Sequence, residues 1–145
     1  MGKLQKGSRM TYAVLDTNVI VASLLTRSHD SATARVMNAV YAGQVVPLVC
    51  DEILAEYDEV LHRARLKLDP AKCDCILSLI RDRAESLRPI HTDAAMPDED
   101  DRVFFEVALA GQYAHDSRLV TGNLKDYPKS DFVVSPSEFC IQFGF

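Results

Sequence analysis

Four places in this chain carry oxygen-bearing side chains whose types and spacing could do chemistry together. Asp16 closes a short apolar run, Tyr12–Leu15, and opens the stretch LDTNVI. Glu56 lies inside DEILAEYDEVL, with Glu52 and Glu59 on either side of it. The run PDEDD, Pro97–Asp101, is the densest negative charge in the sequence. Asn123 and Asp126 fall in VTGNLKDY. Carboxylates gathered without Cys or His ligands select hard cations such as Mg²⁺ or Mn²⁺. A cation held there can activate water and steady the charge on a phosphodiester, which is hydrolysis without a protein nucleophile.

Each of these residues also has a plainer reading. Asp is a preferred N-cap, so Asp16 could simply start a helix. An acidic run on a helix is most often a solvated face, which is the alternative for Glu56. Acids in a first turn favour the helix dipole, and Asp98 can cap. Four acids exceed what capping requires, and like charges repel unless a cation sits among them. Asp101 aligns at helical spacing with Phe104, Phe105 and Ala108, and Asp100 aligns comparably with Val103, Phe104 and Val107. Spacing alone does not choose between the two. A turn residue is the plain reading of Asn123. Thr17 and Asn18 add a hydroxyl and an amide at the Asp16 strand tip.

The elements that must position these groups follow from pattern. Strands are expected at Tyr12–Leu15, Val45–Val49, Leu87–Ile90, Leu119–Thr121 and Phe132–Val134. Helices are expected at Thr17–Leu25, at Ser31–Ala42 with Gly43 as a stop, and from Glu52 to about Arg65 with Asp51 as its cap. Others are expected from Asp69-Pro70 to near Leu87, from about Glu99 to Ala110 closed by Gly111, and after Ser135-Pro136. Strands alternating with helices predict an α/β fold whose mainly parallel sheet, of about five strands, is covered on both faces. Sites in such sheets form beyond the carboxyl ends of the strands.

The chain has 145 residues, 48% of them hydrophobic, which fits one domain with a core and excludes a disordered protein. The first nine residues, MGKLQKGSR, are read as a disordered leader or tag, and residues 10–145 as a single domain. No apolar run approaches the roughly 20 residues of a membrane helix. The net charge is -5, from 16 basic and 21 acidic residues. Removing Lys3, Lys6 and Arg9 leaves 13 basic residues against 21 acidic ones. That balance argues against gripping nucleic acid through general positive charge. It leaves open an enzyme that touches nucleic acid locally through a metal. The four cysteines fit no zinc spacing, and with no secretory signal they read as reduced thiols of a cytoplasmic protein. The four histidines are scattered and read as surface or loop residues. Basic residues between Arg63 and Arg88, led by Arg63, Arg65 and Lys67, are candidates for RNA or partner contacts, although solvated helix charge explains each of them singly.

The stretches LDTNVIVASLL, EILAEYDEVLHRARL, PDEDDRVFFEVALAG, RLVTGNLKDYP and VVSPSEF together resemble the PIN domain, a metal-dependent nuclease family. The likeness is strongest to toxin proteins of the VapC kind and runs from Tyr12 to about Phe139. It implies a three-layer α/β/α fold and an endoribonuclease acting on single-stranded or looped RNA. It also implies Mg²⁺ or Mn²⁺ as cofactor, a cognate antitoxin as partner, and a homodimer. The family's first acid falls on Asp16, its second on Glu56, and its third on Asp101, with Asp100 as a one-residue alternative. Asp16, Asp101 and Glu56 are then the catalytic and metal-holding residues. The fourth position, often Asp in the family, is Asn123 here, which would weaken any second metal. Asp126 could partly compensate, and Asn18 and Thr121 resemble residues that shape the site.

Two other classes compete. A phosphatase with a D-x-D nucleophile lacks its second Asp, because Asn18 stands there. A catalytically weak PIN-fold module, acting through protein or RNA partners, is kept open by Asn123.

Overall fold

The structure, a computed structural model, describes residues 10–145, so the expected leader at 1–9 lies outside the described residues. Five strands form one sheet: β1 (Thr11–Leu15), β2 (Val45–Val49), β3 (Glu85–Ser86), β4 (Ser117–Val120) and β5 (Val133–Val134). Their order is β3-β2-β1-β4-β5, and every pairing is parallel. Six α-helices connect and cover them: α1 (Thr17–Leu25), α2 (Ala32–Tyr41), α3 (Asp51–Leu61), α4 (Pro70–Arg83), α5 (Arg102–Ala114) and α6 (Pro136–Phe143). Helix α5 lies across β4, β1 and β2, while α2 packs on β2 and against α6. This is the expected three-layer α/β/α arrangement, with a sheet more strictly parallel than the pattern required.

Burial on both faces explains why the central strands read as continuous apolar runs. Ala13, Val14 and Leu15 of β1 and Leu119 and Val120 of β4 are fully buried. Leu48 and Val49 extend the same core into β2, and Phe104, Val107 and Ala108 close it from α5. Among the described residues no helix is long and apolar enough to cross a membrane.

Several boundaries move, each for a local reason. The third strand is Glu85–Ser86 rather than Leu87–Ile90. Leu87 still donates to the Val49 carbonyl at 2.9 Å, but Pro89 has no N–H to continue a ladder. Cys50, not Asp51, occupies the cap position of α3, and Asp51 and Glu52 are its acidic first turn. Helix α3 stops at Leu61, where the His62 ring reaches back to the Asp58 carbonyl at 2.7 Å and takes up a terminal acceptor. A 3₁₀ turn, Ala64–Leu66, follows and ends on Lys67 in the left-handed region.

Gly111 does not stop its helix, because α5 runs on to Ala114. The glycine is there for close approach. A Cβ at 111 would stand 2.6 Å from Ser117 Oγ and 2.8 Å from a Leu48 methyl. The histidines are not all loose surface groups either. His115 is partly buried, stacks on Tyr12 at 3.5 Å between ring centroids, and meets Glu85 at 2.8 Å.

Candidate active site

The strand order reverses around β1. The chain steps outward from β1 to β2 and β3, then returns to the other side of β1 as β4. A crevice opens beyond the carboxyl ends of the strands at such a reversal. Asp16 follows the last residue of β1, and Thr121 follows the last residue of β4. The two tips are tied together, since the Asp16 backbone N–H donates to the Val120 carbonyl at 2.9 Å. Asn18 adds a second tie, with its Oδ1 accepting from the Gly122 N–H at 3.0 Å.

Asp16, Thr17, Ser117 and Thr121 are the buried polar residues among those described, and three of the four stand at these tips. Asp16 holds the N-cap position of α1 yet its side chain makes no capping bond. Ser31, Asp69, Asp98 and Ser135 do cap their helices, so capping is available to this sequence and is not what Asp16 does. Its Oδ2 instead accepts from Thr121 Oγ1 at 2.8 Å and from the Tyr127 hydroxyl at 3.0 Å.

Tyr127 was not among the residues singled out by sequence. A tyrosine between an acid and a proline carries no acid-base signal of its own. The available signal was weaker: a phenol in a short loop after a strand tip must find a partner if it is buried. Tyr57 makes a related contact, its hydroxyl donating to the Leu15 carbonyl at 2.5 Å. That bond fixes α3 against the end of β1 and brings its neighbour Glu56 toward the crevice. Thr17 Oγ1 then donates to Glu56 Oε2 at 3.3 Å.

The other acids face the same crevice. Burial raises the Asp16 carboxyl above its ordinary range, and the Asp126 charge adds to that, against the opposing bonds from Thr121 and Tyr127 and the nearby Asn18 backbone N–H, which is not within capping geometry. Glu56 is raised by burial and by Asp16 and Asp100, and held down in part by Thr17 and Arg63. Asp101 is pushed up to about 7, first by burial and then by the charges of Asp16, Asp126, Asp98 and Glu56. Asp100 is exposed and lies with Glu52 and Glu56 along a groove of about 410 Å³. The two register alternatives therefore part: Asp101 turns toward Asp16, and Asp100 toward Glu56 and solvent. Asn123 donates through Nδ2 to Asp126 Oδ1 at 2.9 Å, so these two act as a pair at the crevice rim.

Among the described residues none of Asp16, Glu56, Asp100, Asp101 or Asp126 forms an ion pair. Burial first, and the neighbouring carboxylates second, raise the proton affinities of Asp16, Glu56 and Asp101, which is the cost of holding these acids together without a cation. The donors are all oxygen, which fits a hard divalent ion. Among the described residues no group of three or more Asp, Glu, His or Cys side chains is placed so that it could hold a metal ion as it stands.

Of the basic candidates only Arg63 acts on this cluster, through its charge on Glu56. Arg63 is engaged with Glu59 at 2.7 Å. Arg65 and Lys67 are exposed in the turn that follows α3.

A family model described as the PIN domain matches residues 12–125. The chain belongs to the PIN domain family. PIN domains are generally nucleases that use divalent metal ions. The match takes in β1 through β4 and the Asp16, Glu56, Asp100, Asp101 and Asn123 positions. Asp126, Tyr127 and α6 lie beyond it. No curated protein and no solved structure matches the chain.

Proposed function

We propose that this PIN domain is a Mg²⁺- or Mn²⁺-dependent endoribonuclease that hydrolyses single-stranded or looped RNA, and that it is the VapC-like toxin of a toxin-antitoxin pair. The observation that carries the reading is Asp16. A carboxylate at a helix-cap position, buried and declining to cap, is held by two hydroxyls at the reversal point of a parallel sheet. Stability alone gives no reason to bury an acid there.

Asp16, Asp101 and Glu56 would hold the ion, which when bound supplies an activated water and positive charge for the phosphodiester. The residues divide the remaining work. Asp16 is the fixed member, because Thr121 and Tyr127 set its rotamer. Asp101 is the member the ion would change most: burial and the charges of Asp16, Asp126, Asp98 and Glu56 hold its carboxyl up to about 7 in the metal-free protein, and it would give up that proton to bind the ion. Glu56, oriented by Thr17, faces both Asp16 and Asp100 and is suited to orienting water or substrate. Asn123 brings a neutral oxygen where the family often has Asp, and Asp126 compensates only in part, so a second ion would be held more weakly than the first.

The test is cleavage of labelled RNA with Mn²⁺ or Mg²⁺. Asp16→Asn should lose at least about 100-fold in rate, since outer positions alone commonly cost 10–100-fold. Equal behaviour of the two proteins, with no metal bound by wild type, would sink the nuclease reading and leave a weakly catalytic binding module. The toxin role predicts a cytoplasmic protein that dimerises and is covered by a small antitoxin. Growth arrest on expression, relieved by a neighbouring gene product, checks it, and unimpaired growth with an active nuclease would remove the toxin role alone.

A further inference from the structure

Asp16 has two carboxylate oxygens, and the structure treats them differently. Both hydroxyl donors, Thr121 Oγ1 at 2.8 Å and Tyr127 OH at 3.0 Å, converge on Oδ2. Among the described residues no side-chain donor reaches Oδ1, and the Asn18 backbone N–H lies near the carboxylate without making a capping bond. Both donors lie in the one segment that follows β4. Thr121 belongs to the tip of β4, tied to β1 by sheet pairing. Tyr127 is returned to the crevice by a 3₁₀ turn, Leu124–Asp126, in which the Tyr127 N–H donates to the Leu124 carbonyl at 3.3 Å. That turn places Tyr127 almost fully inside the protein. A buried phenol that found no acceptor would be costly, so the Asp16 contact is the one this packing was built around.

We propose that Tyr127 is a positioning residue: with Thr121 it locks Oδ2 of Asp16 and leaves Oδ1 as the oxygen offered to the divalent ion. The inference rests on the proposed metal-dependent site and deepens it. It also accounts for the loop after β4. The same turn that sends Tyr127 inward pairs Asn123 with Asp126 at the rim, so one short segment sets both the central and the outer oxygen donors. Outer donors of this kind commonly tune metal affinity or activity by about 10–100-fold.

Tyr127→Phe removes only the hydroxyl and keeps the ring in the core. Mn²⁺ binding is measured on the whole chain, by calorimetry and by the loss of the free-ion electron paramagnetic resonance signal. The expected result is a Kd raised about 10-fold or more, with kcat on RNA lowered and KM unchanged. Thr121→Val should weaken binding in the same sense, and Thr121→Ser, which keeps the hydroxyl, should restore it. The double variant should be non-additive, because both donors act on one oxygen. A Tyr127→Phe Kd within about twofold of wild type, in a protein that melts normally, overturns the positioning role while the metal site stands. Failure of wild type to bind Mn²⁺ at all, or equal binding by Asp16→Asn, overturns the site itself and the inference with it.

Discussion

Asp101 stands half-buried among Asp16, Asp126, Asp98 and Glu56, and its carboxyl is raised from 3.8 to about 7. The folded, metal-free protein therefore holds a proton that the unfolded chain has already released over that interval. Stability rises with pH only where the unfolded state binds more protons, and here the native state binds more. The contribution is fully present below about pH 4 and is lost as pH rises through about 7. Asp16 and Glu56 are raised too and push the same way. Metal-free protein should consequently melt higher near pH 5 than near pH 8, to the extent that these acids dominate. Asp101→Asn should flatten the difference and raise the melting temperature at about pH 8 by roughly 2–4 °C, an increment worth about 1 kcal/mol in a chain of this size. Scanning calorimetry of both proteins in EDTA at the two pH values measures it. An undiminished pH slope in the variant would show that Asp101 is not where the repulsion concentrates.

The elements that hold these acids were largely legible, because parallel strands announce themselves as apolar runs and caps as Ser or Asp. Ser31, Asp69 and Ser135 cap where the sequence places helix starts, and β2 spans the Val45–Val49 run its pattern predicts. What was not legible depended on contacts between distant segments. Gly111 reads as a helix stop until Ser117 and Leu48 are seen pressing on it. Tyr127 reads as an ordinary loop aromatic until Asp16, which is 111 residues away, is seen beneath it. Asp100 and Asp101 have equivalent helical spacing, and only a 3₁₀ first turn, Glu99–Asp101, separates their directions. Gly111→Ala makes the contest between local and distant forces measurable. Alanine improves helix propensity by about 1 kcal/mol. The added Cβ would stand 2.6 Å from Ser117 Oγ and 2.8 Å from Leu48 Cδ1, so α5 must lift from β4 and β2. Overpacking of a tight core costs about 1–3 kcal/mol, so the net effect should be a loss of stability. Urea unfolding checks the sign. A more stable variant would mean that α5 shifts freely, and that Gly111 was a tolerated weakness instead of a packing requirement.

At the scale of the whole molecule, a net charge of -5 sets a polyanion at a disadvantage, and its distribution deepens the problem near the site. Asp16, Glu56, Asp100, Asp101 and Asp126 all face or flank one crevice, with Glu52 and Glu99 beside it. RNA approaching that edge meets repulsion unless a divalent ion offsets it, so binding should require metal and fail in EDTA. Arg102 in the groove is held by Glu99, and the turn after α3 carries further cations that the structure separates. Arg63 is committed to Glu59 by two contacts near 3 Å and a third at 2.7 Å. Arg65 and Lys67 are exposed and, among the described residues, form no ion pair. If the strand crosses this turn, the two free cations should make the phosphate contacts and Arg63 should contribute less. Each lost contact to a single strand lowers the slope of log affinity against log salt by about 0.7. The Arg65→Ala/Lys67→Ala double variant should therefore lose more of that slope than Arg63→Ala, with Mn²⁺ affinity unchanged in both. Anisotropy titrations of labelled single-stranded RNA at several salt concentrations distinguish them. A double variant with the wild-type slope would move the strand's path off this turn, and metal-independent binding would detach RNA recognition from the acidic crevice altogether.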